Sequence, residues 1–279
     1  TVKHVKGFFE WAVMAEHIKG KRAHGPIRSL RLTRKDRQAG RAAKTRPIAS
    51  IEDITATVLA MPQTTAIERR NRALIAFTLV SGARDGAIIS MRVGHVDLIG
   101  QEVFQHPDEV DTKGSAQIFT VFFPVGEVLI DEVAGYIAYL KDDLGFADDD
   151  PLFAATAMGH DENDQFCAGG LSKRRWANAQ PMRDIFRQAF TANGLPYYNP
   201  HSFRKTLMRL AYTLGLTGEE LKAWSQNLGH KKLDTSINSY GNVSRDRQKA
   251  AIFKLHNAKP TAIANPDTIA QIKALATSL

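Results

Sequence analysis

The sequence is poor in cysteine, since Cys167 is the single one among 279 residues. One thiol forms no internal disulfide and supplies too few ligands for a cysteine-based zinc site. A disulfide scaffold and a zinc-finger module are therefore both excluded. A chain that folds without disulfides is typical of the reducing cytoplasm, and we expect a cytoplasmic protein.

Long apolar runs are missing as well. No stretch approaches the roughly 18 consecutive apolar residues of a membrane span. The opening residues, TVKHVKGFFEWAV, lack the apolar core and the small-residue cleavage site of a secretory signal. They also lack an initiating methionine, from which we expect a fragment or a processed form of a longer protein.

Positive charge is in excess. Lysine and arginine number 37 against 29 aspartates and glutamates, which gives a formal net charge of +8 and a pI of about 9.6. Such an excess fits DNA, RNA or an anionic membrane surface, and it is also compatible with a merely soluble basic protein. Composition alone does not choose among these partners.

Patterning divides the chain into segments. Apolar residues at helical spacing from Val5 to Val13 predict an amphipathic helix within residues 1–31. Residues 32–47 are basic and without a period, which is typical of a linker. Its cations Arg41, Lys44 and Arg46 would suit a phosphate backbone, the alternative being a solvated linker that contacts nothing.

The rest of the chain is expected to form one domain and a tail. In residues 48–258, helical periodicity begins at Ile51 and returns over residues 72–80, 128–140 and 182–190. The β-branched and aromatic run from Gln117 to Phe123 predicts a strand, and the turn before it predicts a hairpin with Lys113 near its tip. The expected fold class is mainly α with a small antiparallel β-sheet. Residues 259–279 predict a tail helix that packs on its own domain or on a neighbouring subunit.

A set of polar residues stands in a specific order along this domain. The set is Arg84 in Ser81-Gly82-Ala83-Arg84, Lys113 in Thr112-Lys113-Gly114, His201 and Arg204 in His-Ser-Phe-Arg, His230 in Leu-Gly-His, and Tyr240. Each residue taken singly has a structural explanation, such as a surface arginine, a capping histidine or a half-buried tyrosine.

Together these residues resemble the signature of the tyrosine recombinases, the phage-integrase-like family, over about residues 48–257. The resemblance implies the tyrosine recombinase (integrase) catalytic-domain fold. It also implies a site-specific recombinase that cleaves and rejoins double-stranded DNA through a 3′-phosphotyrosyl link, without metal or cofactor and without a membrane. Residues 1–31 would be the end of a helical core-binding domain. The chain would form a tetramer on DNA, with a C-terminal segment exchanged between neighbours, and a monomer when free.

The chemistry of the phosphodiester explains the residue types that the resemblance selects. Arginine clamps phosphate because its planar fork donates two hydrogen bonds and keeps its charge, which is the role implied for Arg84 and Arg204. Tyr240 would be the nucleophile, with His201 as its base.

The two other residues of the set have supporting roles. The resemblance implies that His230 hydrogen-bonds the phosphate or orients its neighbours. It implies that Lys113 protonates the leaving 5′ oxygen.

Further basic residues are candidates for the DNA backbone. Lys173, Arg174 and Arg175 form a basic cluster that would contact DNA or, alternatively, begin a helix that faces solvent. Lys205, beside the clamp arginine, is a further candidate.

One position departs from the family pattern. Tyrosine recombinases usually carry an acid three residues after the first arginine, where this chain has Ala87, while Asp85 follows the arginine directly. The departure favours an alternative, a degenerate relative that binds DNA without cutting it.

Within the enzyme class the role is also open. A mobile-element integrase and a Xer-like chromosome resolvase are poorly separated by sequence. The compact His-Ser-Phe-Arg and Leu-Gly-His boxes favour either over a type IB topoisomerase. An RNA-binding or membrane-surface module explains none of the ordered motifs.

Overall fold

The computed structural model describes residues 2–31, 33, 47–112, 117–160 and 164–230. Residues 1–47 and residues 48–279 form two compact units. Arg41, Lys44, Arg46, Lys113, Tyr240 and the predicted tail helix all lie outside the described residues. No helix of the described part is both long enough and apolar enough to cross a bilayer.

The first unit contains two helices, α1 (Val2–Met14) and α2 (Gly20–Ser29). Apolar spacing predicted α1 but not α2, because Pro26 lies inside the second helix and proline is the poorest helix former. Phe8 and Trp11 of α1 are exposed, and their ring centroids are 5.8 Å apart. The assignment of this unit to a core-binding domain stays a prediction.

A helix buried on all sides runs through the second unit. α3 covers Ile51–Ala60 and α4 covers Ala66–Ser81. α4 begins with a capping box, in which the Thr65 hydroxyl accepts from Glu68 N and the Glu68 carboxylate accepts from Thr65 N. Residues 73–80 of α4 are all buried, as expected of a helix that is apolar around most of its circumference.

The other helices of the described residues surround this centre. They are α5 (Asp85–Ser90), α6 (Glu127–Asp142), α7 (Gln180–Ala192), α8 (Pro200–Leu214) and α9 (Gly218–Asn227). The apolar face of α7, which the sequence predicted, packs into the core through Met182 and Phe186.

A small antiparallel sheet, in the order β1-β2-β3, covers part of the core. β1 is Val96–Asp97, β2 is Glu102–Gln105 and β3 is Ile118–Val121. Val103 pairs with Thr120 on the buried face, and Phe104 pairs with Phe119 on the exposed face. The predicted hairpin is therefore present, and the connection between β2 and β3 is the part of the chain that carries Lys113.

A second antiparallel pair was missed by the sequence analysis. β4 (Ala154–His160) pairs with β5 (Phe166–Arg175), with irregular register at two places. Lys173, Arg174 and Arg175 end a strand, so the alternative in which they begin a helix is wrong. The segment is rich in alanine and glycine and lacks the β-branched alternation that marks a strand.

Arg72 of α4 joins three helices. Its Nε donates to Glu132 of α6 at 2.7 Å, and its Nη1 donates to the carbonyls of Leu59 and Met61 at the end of α3, at 3.1 and 2.9 Å. A cation placed there satisfies carbonyls that have no partner within the helix and opposes the negative end of the helix dipole. The Arg72 side chain is 8% exposed, so water cannot replace these partners.

Substitution of Arg72 by methionine (Arg72→Met) removes the cation and leaves the Glu132 carboxylate, which is 20% exposed, without its ion-pair partner. We expect the free energy of unfolding to fall by about 3 kcal/mol, as is usual when one half of a buried ion pair is deleted. Urea unfolding followed by circular dichroism measures the loss.

Lys141→Met is the matched control, because it removes an exposed ion pair between α6 and Asp148. Its cost should not exceed about 1 kcal/mol. Equal losses in the two variants would contradict the role given to Arg72.

Candidate active site

The His-Ser-Phe-Arg box forms the first turn of α8. Asn199 caps this helix, with its side chain accepting from Ser202 N at 3.0 Å, and Pro200 occupies the first helical position, where its missing N–H costs nothing. His201 and Arg204 are three residues apart and lie on one face of the helix. Phe203 points the other way into the core, fully buried, and fixes the rotation of the turn.

The Arg204 guanidinium is the centre of the site. Only 4% of Arg204 is exposed. Its guanidinium donates to the carbonyls of Gly82 at 2.5 Å and Leu228 at 2.6 Å, and to Nε2 of His230 at 2.7 Å. Those partners come from the end of α4 and from the segment after α9. Arg204 therefore connects the Ser81-Gly82-Ala83-Arg84 box to the Leu-Gly-His box.

Glycine is required at both of the turns that Arg204 contacts. Gly82 ends α4 in the left-handed conformation, with φ 58°, and a Cβ there would meet Leu207, Leu228 and Phe123 at 2.9 Å. Gly229 has φ 65°, and a Cβ there would meet Ile118 Cδ1 at 2.7 Å. These turns bring Arg84 and His230 toward Arg204, which explains the glycines of the two boxes.

Arg84 follows the Gly82 turn and stands at the N-cap position of α5. Its side chain is half-buried, and desolvation lowers its pKa. The neighbouring Asp85 does not pair with it: Oδ2 of Asp85 accepts from Nη2 of Arg183, on α7, at 2.6 Å. Ala87 is 2% exposed and belongs to the apolar core.

The site carries positive charge without a matching acid. Among the residues that the structure describes, no carboxylate forms an ion pair with Arg84 or Arg204. Desolvation, and then the charge of Arg84, lowers the pKa of Arg204 to about 9, which leaves the guanidinium protonated at neutral pH. Such an arrangement favours an anion that can use both arginines.

The same environment acts on the two histidines. Desolvation, followed by the charges of Arg204 and Arg84, lowers the pKa of His230 to about 4. Desolvation and the same arginines, with Lys205, lower the pKa of His201, while Asp85 acts in the opposite direction. Both rings are therefore neutral at neutral pH. Since Nε2 of His230 accepts from Arg204, we assign the proton of this ring to Nδ1.

The segment that leads to Lys113 is tied to α5. The hydroxyl of Ser90, in the last turn of α5, accepts from Asp111 N at 2.8 Å and lies 2.9 Å from the carbonyl of Ala87. Val110, just before it, is buried in the core. The chain two residues before Lys113 is thus fixed to the helix that begins beside Arg84.

The basic residues that the sequence predicts to contact the DNA backbone lie in different environments. The Lys173 ammonium is 2.8 Å from Asp150 Oδ2 and donates to the carbonyl of Gly145 at 2.7 Å, so its charge is partly used within the protein. Arg174 and Arg175 are exposed on β5, and Lys205 is half-buried beside the site. Their contact with DNA stays a prediction, as it does for Arg41, Lys44 and Arg46.

Sequence analysis missed two features of the site. One is Arg183, whose partner Asp85 lies 98 residues away in the chain. The other is the use of the Gly82 and Leu228 carbonyls as acceptors for Arg204, which no side-chain pattern reveals. Among the described residues, no group of histidine, cysteine and acidic side chains has the composition and spacing of a metal site.

Helices packed around the buried helix α4, with a small three-stranded antiparallel sheet over part of the core, give the fold of tyrosine recombinase catalytic domains, and the predicted fold class is confirmed. No protein-family model matches the sequence, and no curated protein matches it. The fold assignment rests on the crystal structure of XerA recombinase, which has a TM-score of 0.52 at 13% identity and covers 93% of this chain and 84% of its own.

Two further solved structures are similar at lower scores. XerH site-specific recombinase in a pre-cleavage complex with its difH substrate has a TM-score of 0.49 at 15% identity, over 75% of this chain and 55% of XerH. A lambda integrase dimer bound to a core site has a TM-score of 0.48 at 16% identity, over 88% of this chain and 81% of its own.

The neutral His230 ring predicts a loss of stability in acid. Its pKa is about 4 in the folded protein against 6.5 for the ordinary side chain, so between these pH values the unfolded chain binds a proton that the folded protein does not. The contribution to the free energy of unfolding is complete above pH 6.5 and declines as the pH falls toward 4.

Urea unfolding at about pH 7 and about pH 5 tests this linkage. His230→Gln removes the titrating ring, while its amide oxygen can reach the position of Nε2 and still accept from Arg204. The wild-type protein should lose more stability between the two pH values than this variant does. Equal losses would contradict the depressed pKa of His230.

Proposed function

We propose that this chain is a site-specific DNA recombinase of the integrase kind, which cleaves and rejoins DNA strands through a covalent bond to Tyr240. The observation that carries the proposal is the clustering of Arg84 and Arg204, without a paired acid among the described residues, beside two neutral histidines. A scissile phosphate bound there would meet cations that stabilise charge on its non-bridging oxygens.

The proposed reaction conserves the energy of the phosphodiester. The Tyr240 oxygen bonds to phosphorus and its proton passes to His201, which is neutral at neutral pH and so can act as a base. The bond from phosphorus to the 5′ oxygen breaks, and Lys113 protonates that oxygen. The 3′ phosphate stays on the tyrosine until a 5′ hydroxyl attacks and reverses the steps, so ATP is not consumed.

His230 would act as a fixed hydrogen-bonding group. With Nε2 bonded to Arg204, its remaining N–H belongs to Nδ1, and the low pKa of the ring keeps it from adding a charge to the site. Its part in the reaction would be to orient Arg204 and the phosphate. On DNA we propose a tetramer that acts in the cytoplasm on a mobile element.

A DNA-binding relative without cleavage activity is the second candidate. Ala87 supports it, because this position is buried in the apolar core and offers no carboxylate to the site. The retained arginines, histidines and Tyr240 support the enzyme instead.

A covalent adduct tests the proposed function. The protein is incubated in EDTA with a library of randomised DNA duplexes that carry a single-strand nick, and strands that stay attached in denaturant are sequenced. We expect an adduct with the wild-type protein and none with Tyr240→Phe, because the variant lacks the nucleophile. DNA binding without any adduct would favour the second candidate, and an adduct in Tyr240→Phe would refute the nucleophile.

With the DNA sequence recovered in this way, the effect of Arg84 on the rate of adduct formation can be measured. Arg84→Ala should slow adduct formation by about 10²–10³-fold, the usual effect of deleting a donor to the transition state. Arg92→Ala is the control, since it removes an exposed arginine whose partner is Asp149. Comparable losses in both variants would mean that Arg84 contributes only general positive charge.

A further inference from the structure

Asp85 is held by an arginine that belongs to another helix. Its Oδ2 accepts from Arg183 Nη2 at 2.6 Å, and its Oδ1 accepts from Gly86 N at 3.0 Å. Both carboxylate oxygens therefore have donors. Asp85 is also the only acidic residue in α5, the helix that begins directly after Arg84.

The Asp85 carboxylate lies close enough to the site to affect it. Its charge acts on His201 in the direction opposite to those of Arg204, Arg84 and Lys205. If Arg183 did not hold it, the nearest cation along the chain would be Arg84, its direct neighbour. In a partly desolvated site an ion pair between these two would be stronger than at the surface, and it would neutralise the charge that an anion needs.

Stability alone does not account for the Arg183–Asp85 pair. The two side chains are 45% and 34% exposed, and ion pairs this accessible contribute little to folding. What the ion pair does is to direct the Asp85 carboxylate toward α7, where it pairs with Arg183 and not with Arg84.

We propose that Arg183 is a positioning residue of the site, which holds the Asp85 carboxylate and thereby keeps the Arg84 guanidinium available for a phosphate. Its meaning for DNA cleavage rests on the proposed function. The ion pair and its electrostatic effect on His201 belong to the free protein and are testable without DNA.

The charges around His201 give the sign of the expected changes. The ring faces the cations Arg204, Arg84 and Lys205 and the anion Asp85, and Arg183 in turn interacts with Asp85 and with Tyr197. Arg183 is not among the charges that act on His201 directly, so Arg183→Ala should raise the pKa of His201 through the freed Asp85 carboxylate. Asp85→Asn removes the anion and lowers the pKa.

NMR titration of the histidine rings in the free protein measures these shifts. We expect the His201 pKa to rise in Arg183→Ala and to fall in Asp85→Asn. Arg92→Ala is the control, because it removes an exposed arginine that pairs with Asp149 and is not among the charges that act on His201, and it should leave the His201 pKa unchanged. An unchanged His201 titration in Arg183→Ala would overturn the proposal, whether or not the protein cleaves DNA.

The rate of adduct formation gives a second test. Arg183→Ala should slow the reaction by on the order of tenfold when Asp85 is present, and should add little to Asp85→Asn in the double variant, since the two residues act as a unit. An equal effect in both backgrounds would make Arg183 a direct phosphate contact and refute the positioning role. If the wild-type protein forms no adduct, the proposed function fails, while the NMR titration still decides the role of Arg183.

Discussion

The site depends on one buried cation. A guanidinium removed from water is costly unless its N–H groups find acceptors. Arg204 finds them in the Gly82 and Leu228 carbonyls and in the His230 ring. These bonds use three of the five N–H groups of the guanidinium and leave its charge unneutralised, whereas a carboxylate would neutralise it. They also fix the turns that carry Arg84 and His230, so one side chain both creates the positive field and positions the groups that share it.

The positive field has a second consequence, for protons. Burial is the larger cause of the lowered pKa values of the neighbouring histidines, and the cations that would attract a phosphate act in the same direction, because each arginine disfavours a further positive charge nearby. A neutral His201 can accept a proton, and a neutral His230 can accept a hydrogen bond from Arg204. The charges that would bind a phosphate in the proposed reaction therefore also help to keep His201 able to accept a proton. Among the described residues, Asp85 is the carboxylate whose charge acts on His201, and it would weaken both effects if Arg183 did not hold it.

Some elements were predictable because burial imposes a period on the sequence. The apolar faces of α6 and α7 and the strand β3 show such a period, while α4 is apolar around most of its circumference, and the structure contains all four elements. The pair β4 and β5 does not, because its alanine- and glycine-rich strands bury little and their register is irregular. Helix α2 was missed because Pro26 contradicts local propensity, which the structure overrides.

The sequence by itself determined which chemical groups are present and their order along the chain. His201 and Arg204 are three positions apart in the sequence, so the geometry of one helical turn is enough to place them on the same face. Only the tertiary structure decided which groups meet. The bonds from Arg204 to Gly82 and Leu228 span 122 and 24 residues and end on backbone carbonyls, which every residue possesses. A contact to a backbone carbonyl therefore leaves no pattern in the sequence. The contact between Asp85 and Arg183 does join two side chains, but 98 residues separate them, so the sequence does not reveal that they meet.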